Sequence, residues 1–245
     1  MEAAATGTVC RDLDPVTWEL LPSHFAPGAN GAIILIADVD DFSEEHFEQF
    51  VSQLTEAESE RAASYLSWLH RKQYILSHFL LRRVIGQILG KNPLDILFME
   101  AEKKKPVLAG ANQSLSFNIS HAGGKILIGL NFDGEIGVDI EKEDPGFDYT
   151  AFAKEHFSDG EKRMLDLAGN DKAVKVFFKV WTRKEAWLKL TGEGLRDDLF
   201  AVDVSEDKTG AEENTLICSL EVEDYAISIA TTGNPALHFY KITEA

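Results

Sequence analysis

Apolar residues at Ile136, Val138 and Ile140 alternate with Gly137, Asp139 and Glu141. A period of two marks a β-strand, whose successive side chains face opposite ways. Strand patterns also occur at residues 31–40, 96–102, 201–205, 215–222, 225–231 and 236–242. Residues 114–124 and 125–141 read as a paired set, with an Asp-Gly turn at Asp133 and Gly134 signalling a hairpin. Between these lie helical patterns. Residues 43–54 and 55–69 each open on a Ser or Thr suited to N-capping. Residues 70–90 carry Tyr74, Ser77, Leu80, Leu81 and Val84 near one face and close on Gly90. Further helices are expected at 149–157, at 158–169 behind the cap Ser158, and at 171–190, ending at Gly192. Strands and helices mix without strict alternation, so α+β in two lobes is the expected class.

The sequence of 245 residues is 44% hydrophobic, enough for one large core or two small ones. The first fifteen residues carry neither a basic start nor an apolar run of signal-peptide length, and no stretch approaches a membrane span. The two cysteines, Cys10 and Cys218, make no disulfide framework and no zinc spacing, so a cytoplasmic location is expected. A formal charge of −17 argues against a general nucleic-acid binder. Basic residues are nevertheless concentrated at Arg61, His70, Arg71, Lys72, Arg82 and Arg83, and at Lys103 to Lys105. By themselves these are equally solvated helix faces and a turn.

Asp139 and Glu141 share one face of their strand, roughly 6–7 Å apart, a spacing that suits a divalent cation or an ordinary solvated edge. Glu185 and Lys189 lie one helical turn apart, which in isolation is a helix-stabilising pair of about 0.2–0.5 kcal/mol. Trp181 shares their stripe, and Gly192 and Gly194 follow. Arg61 could pair with Glu58 on its own helix, and Lys105 could cap a turn before Pro106. Ser120 and His121 are adjacent in a strand and so point apart, which disfavours a nucleophile pair; no G-x-S-x-G elbow is present. The stretch HAGGK lacks the P-loop pattern, so no nucleoside-triphosphate site is implied.

The segments IGVDIE and WTRKEAWLKLTGEGL, with FNISHAGG, KKPVLA, ERAASY and FLLRRVIG, resemble the 4'-phosphopantetheinyl transferases of the surfactin-synthetase-activating type. The likeness spans roughly residues 55–200. It implies two similar α/β lobes related by pseudo-twofold symmetry, here 1–132 and 133–245, around a cleft, in a monomer. It implies transfer of the phosphopantetheine arm of coenzyme A to a serine of an apo acyl or peptidyl carrier protein, releasing adenosine 3',5'-bisphosphate. Fatty-acid, polyketide and nonribosomal-peptide carriers are all compatible. The implied metal is Mg2+, held by Asp139, Glu141 and Glu185, since a cation must neutralise the pyrophosphate before an oxygen attacks. Lys189 is implied at the pyrophosphate, Glu185 as proton acceptor, and Glu161 as a second base. Arg61, Lys105, Ser120 and His121, with Lys189, match positions that contact coenzyme A. Gly137 is read as keeping the strand slim beside the ligand. Lys104 departs from the family's glycine before Lys105. Part of a carrier-docking surface is expected around Lys172, Lys175, Phe177 and Phe178, with at least one of the two phenylalanines expected in the core. Rival readings are a non-catalytic relative that binds the carrier or coenzyme A, and a metal-dependent phosphohydrolase.

Overall fold

The computed structural model describes residues 9–21, 31–100, 106–109, 115–194, 198–205 and 215–243. In chain order these form strands β1 (Val9–Asp12), β2 (Glu19–Leu20) and β3 (Ala32–Asp38), then helices α1 (Glu44–Val51), α2 (Glu56–Ala63) and α3 (Trp68–Leu89). Strands β4 (Phe98–Glu100), β5 (Pro106–Leu108), β6 (Ser116–Ala122), β7 (Lys125–Asn131) and β8 (Ile136–Lys142) follow. Helices α4 (Thr150–His156), α5 (Asp159–Ala168) and α6 (Asn170–Thr191) lead to β9 (Thr215–Val222), β10 (Tyr225–Thr232) and β11 (Leu237–Ile242). Among the described residues, no helix is long and apolar enough to cross a membrane.

The unbroken apolar run of β3 reflects burial on both faces. Ile33, Leu35 and Ala37 pack with residues of α1 and α3, while Ala32, Ile34 and Ile36 join Ile136, Val138, Ile140, Ile227 and Ile229 in a second core. That second core lies between two sheets, one ordered β2-β11-β3-β7-β6 and the other β1-β9-β10-β8. A third cluster fills the space between the second sheet and α4–α6. The layers therefore run helices, sheet, sheet, helices.

The second half repeats the construction of the first. A strand is followed by three helices and a hairpin, with the β4–β5 pair interposed in the first half, and the strand order β3-β7-β6 has its counterpart in β8-β10-β9. Both long helices, α3 and α6, end on a left-handed glycine, Gly90 and Gly192. The division expected at residue 132 falls between β7 and β8, yet each sheet is completed from the opposite end of the chain. Strand β11 pairs in parallel with β3, and β1 pairs in parallel with β9. The short β1 and β2 lack the alternation that would announce them.

Three local expectations change. The Asp133–Gly134 turn joins strands of different sheets instead of closing a hairpin, because β7 already has β3 and β6 on its two sides. The hairpins of this region are β6–β7 and β9–β10. Residues 201–205 are not a strand; Leu199–Ala201 form a 3₁₀ turn, and the backbone of Val204 is bonded by the side chains of Arg183 and Glu161. The helix expected over 55–69 is broken after Ala63, and Ser67 caps a new helix from Trp68.

Strand β8 lies at the edge of its sheet, with Gly137, Asp139 and Glu141 opposite Ala230, Ser228 and Ala226 of β10. These small neighbours let α6 settle closely onto the sheet. A Cβ built on Gly137 would stand 2.0 Å from the carbonyl oxygen of Ala186 and 2.4 Å from the amide nitrogen of Leu190. The glycine is thus slim for the helix backbone, which corrects the expectation that it makes room for a ligand. Because backbone cannot rotate out of the way, Gly137→Ala is expected to lower stability by about 3 kcal/mol, the upper end of ordinary overpacking costs. Urea unfolding of the two chains measures it.

Candidate active site

Close packing over Gly137 brings the C-terminal half of α6 against β8, and β6, the edge strand of the other sheet, lies alongside. The amide of Val138 donates to Asn118 Oδ1 at 2.9 Å, joining the two edges. Three side chains then meet. Lys189 Nζ donates to Asp139 Oδ1 at 2.6 Å and to Ser120 Oγ at 2.9 Å. Ser120 Oγ donates in turn to Asp139 Oδ1 at 2.8 Å. The remaining oxygen of Asp139, Oδ2, is buried and has no hydrogen-bond partner among the described residues. A buried carboxylate oxygen without a donor is costly, and it marks a position where a cation or donor would be stabilised.

Glu141 and Glu185 complete an acidic group around this point. Glu141 Oε1 accepts a hydrogen bond from Trp181 Nε1 at 3.3 Å. Burial, followed by the charge of Asp139, raises the affinity of Glu141 for its proton. Glu185 is pushed up to about 7 by burial and then by Asp139 and Glu141, against the opposing pull of Lys189. Asp139 is raised by burial in spite of Lys189 and Ser120. These mutual effects place the three carboxylates within one another's fields. Among the described residues, no three His, Cys, Asp or Glu side chains are arranged as a ready-made ion cage. The donor set still suits a hard cation: carboxylate oxygens, one of them unpartnered, with the Lys189 ammonium compensating the charge in the ion-free chain.

The residues expected on the first half are less drawn together. Ser120 belongs to the cluster, whereas His121, its neighbour on β6, is exposed. Arg61 is exposed on α2 with its guanidinium over the Tyr65 ring at 5.4 Å. It does not pair with Glu58, which is taken by Arg82 at 2.9 Å. Lys105 lies outside the described residues. Two residues that hold the site escaped the sequence reading. Asn118 links the sheet edges, and buried Gln73 on α3 donates to the carbonyl of Gly123 at 2.7 Å, pinning the tip of the β6–β7 hairpin. The sequence cue for Gln73 was a polar residue beside an apolar stripe.

Glu161 is placed apart from the carboxylate group. It is fully buried and caps α5: Oε2 accepts from the Ser158 amide at 2.8 Å and from Lys184 Nζ at 2.9 Å, while Oε1 accepts from the Val204 amide at 2.8 Å. The docking surface expected around Lys172 and Lys175 is also altered. Phe177 and Phe178 are core residues, and Lys175 is paired with Glu221 at 2.8 Å.

Glu185 sets a pH dependence. Its folded value of about 7 lies above the ordinary 4.5, so the folded chain holds the extra proton between those values. The resulting stabilisation is complete below about pH 4.5 and is lost as pH rises through about 7. In the presence of a chelator, the thermal unfolding midpoint is expected to fall between about pH 5 and pH 8. Glu185→Gln should flatten that fall and be the more stable chain at the upper end; a fall of unchanged depth in the variant would contradict the placement.

Comparison with known proteins bears on the same residues. The model for the 4'-phosphopantetheinyl transferase superfamily matches residues 135–236, and that for the N-terminal part of 4'-phosphopantetheinyl transferases matches residues 41–129. The 4'-phosphopantetheinyl transferase psf-1 of Bacillus pumilus is 32% identical over 165 residues, covering 66% of this chain and 68% of that protein. HetI of Nostoc sp., a 4'-phosphopantetheinyl transferase, is 32% identical over 157 residues, 63% of this chain and 66% of its own length. AcpT of Escherichia coli, strain K12, carrying the same name, is 38% identical over 111 residues, 45% of this chain and 55% of its own. The chain thus spans somewhat less than two thirds of the latter two relatives. With both halves matched in order, and the acids of β8 and α6 inside the match over residues 135–236, the chain belongs to the 4'-phosphopantetheinyl transferase superfamily.

Proposed function

We propose that the protein transfers the 4'-phosphopantetheine arm of coenzyme A to a serine hydroxyl of an apo acyl or peptidyl carrier protein. The observation that carries this reading is the meeting of Ser120, Asp139 and Lys189, with Glu185 within their electrostatic field, where the edges of the two sheets lie side by side under α6. A fixed ammonium beside an under-satisfied acidic group suits a pyrophosphate, which needs positive charge on its oxygens before a nucleophile can approach. The serine oxygen attacks the phosphorus bearing the pantetheine arm, the bridging P–O bond breaks, and adenosine 3',5'-bisphosphate leaves.

The chain's residues divide the work. Lys189 stands against the pyrophosphate and meets the charge that develops on the leaving phosphate. Glu185 takes the proton of the incoming serine, directly or through a water. Ser120 orients Asp139 and Lys189. Arg61, Lys105 and His121 supply cationic and hydrogen-bonding contacts to the nucleotide end of coenzyme A. Asp139, Glu141 and Glu185 would hold Mg2+, which when bound supplies charge neutralisation on the pyrophosphate. Glu161 is given no proton-transfer part, since its oxygens are committed to Ser158, Lys184 and Val204. The partners in this reading are coenzyme A and a carrier protein, and one chain brings both halves of the site.

The test is to incubate the chain with coenzyme A, magnesium and a panel of apo carriers and to weigh the carriers by mass spectrometry. A gain equal to the phosphopantetheine arm is expected, abolished by chelator. No gain with any carrier, or consumption of coenzyme A without one, would overturn the reading in favour of a binding protein or a hydrolase. Lys189→Ala is expected to reduce the rate by at least about 10²-fold, the usual cost of losing one charge-stabilising donor. Glu185→Ala should abolish transfer in a chain that still folds.

A further inference from the structure

We propose that Glu161 and Lys184 form a positioning pair that fixes the rotation of α6 about its own axis, so that Glu185 and Lys189 face β8. The kinetic part of this rests on the transferase reading; the orientation part does not.

The pair has a twin in the first half. Glu58 is the third residue of α2 and closes a capping box with Thr55; Glu161 is the third residue of α5 and closes one with Ser158. Each glutamate pairs with a cation on the following 22-residue helix, Arg82 or Lys184. Each cation precedes its helix's left-handed glycine, Gly90 or Gly192, by the same interval. Each also reaches the 3₁₀ turn beyond the helix: Arg82 donates to the carbonyls of Pro93 and Ile96, and Lys184 to those of Leu199 and Val202. A short helix, a long helix and the turn after it are thereby clamped at one point, twice, in the same arrangement.

In the first half, the clamp stands outside the carboxylate group around Asp139, so its recurrence points to architecture and not to chemistry. The groups have no capacity left over. An ammonium has three donors, and those of Lys184 are taken by Glu161, Leu199 and Val202. Both residues are fully buried and closed to solvent. Consecutive helical residues point about 100° apart, so anchoring Lys184 on the α5 side sets the direction of Glu185. Thr182 and Arg183 anchor the same turn to Ser228 and Ser219 of the sheet. Lys184 adds the attachment to α5 and to residues 199–202, which the sheet contacts do not supply.

The test uses the full chain and four variants: Glu161→Gln, Lys184→Met, the double Glu161→Gln/Lys184→Met, and Lys184→Arg, which installs the first half's cation. Readouts are kcat and KM for coenzyme A, the thermal midpoint, and the indole N–H resonance of Trp181, whose donor bond to Glu141 reports α6 orientation without turnover. The neutralising variants should displace that resonance and lower kcat by about 10²-fold with little change in KM, as expected for misplaced groups. The double variant, free of unpaired charge, should regain thermal stability but not the resonance or kcat. Lys184→Arg should restore both. A folded Glu161→Gln that loses kcat by about 10³-fold or more with the Trp181 resonance unmoved would make Glu161 a participant in chemistry and overturn the proposal. So would a double variant with wild-type resonance. Should the neutralising variants fail to fold, Lys184→Arg decides: wild-type resonance supports the clamp, and a displaced one in a folded chain overturns it. If the wild-type chain transfers nothing, the transferase reading fails, and the resonance still decides the positioning.

Discussion

Everything at the site depends on how closely α6 lies on β8. The separation is set where a helix backbone touches a strand that has no side chain, at Gly137 beneath Ala186 and Leu190. The residues that flank this contact on the helix are Glu185 and Lys189; the one that follows it on the strand is Asp139. A contact with no room to spare therefore fixes the spacing of the reactive groups. Ala226, Ser228 and Ala230 on β10 extend the same shallow bed, so the helix is seated along a strip rather than at a point.

Seating a helix this tightly requires many of its polar groups to be bonded without water. Thr182, Arg183 and Lys184 are all fully buried, yet each finds partners: Ser228 for the first, Ser219, Val204 and Asp12 for the second, Glu161 and two carbonyls for the third. The sequence W-T-R-K-E carries one exposed-side function and three internal anchors in five residues. Satisfied in full, such a network specifies one orientation of the helix, because any rotation strands several buried donors at once. The acids on the other side are treated differently. Burial and mutual repulsion push Glu141 and Glu185 toward their neutral forms, and Asp139 keeps an unpartnered oxygen.

The two halves share a plan but not a chemistry. Strand order, helix order and the glutamate–cation clamp recur, while the three acids gathered around Asp139 lie on β8 and α6; in the first half, β3 is apolar except for Asp38 at its end, and α3 carries no acid. Exchange of the terminal strands, β1 to the second sheet and β11 to the first, ties the halves into one body. Lys125 adds a further tie, pairing with Asp38 and with Glu223 at 3.1 Å each.

Much of this was legible in the chain itself. Alternation of Ile136, Val138 and Ile140 with Gly137, Asp139 and Glu141 determined a strand with an acidic face, and helical spacing put Trp181, Glu185 and Lys189 on one stripe; these are local periodicities, fixed by backbone geometry. Capping residues located the starts of α1, α2 and α5 for the same reason. What periodicity does not carry is which strand lies beside which. The Asp133–Gly134 turn has the local form of a hairpin, and only the prior claim of β3 and β6 on the edges of β7 sends the chain to another sheet. The family resemblance offered Glu161 as a second base; that its carboxylate lies buried against Lys184 and the amides of Ser158 and Val204 is decided by packing alone. Gly137 was read as room for a ligand, and the structure filled that room with helix. Sequence determined the elements and the types of side chain they offer, whereas the packing of edges and helices decided which side chains meet water, which meet each other, and which are left to meet a substrate.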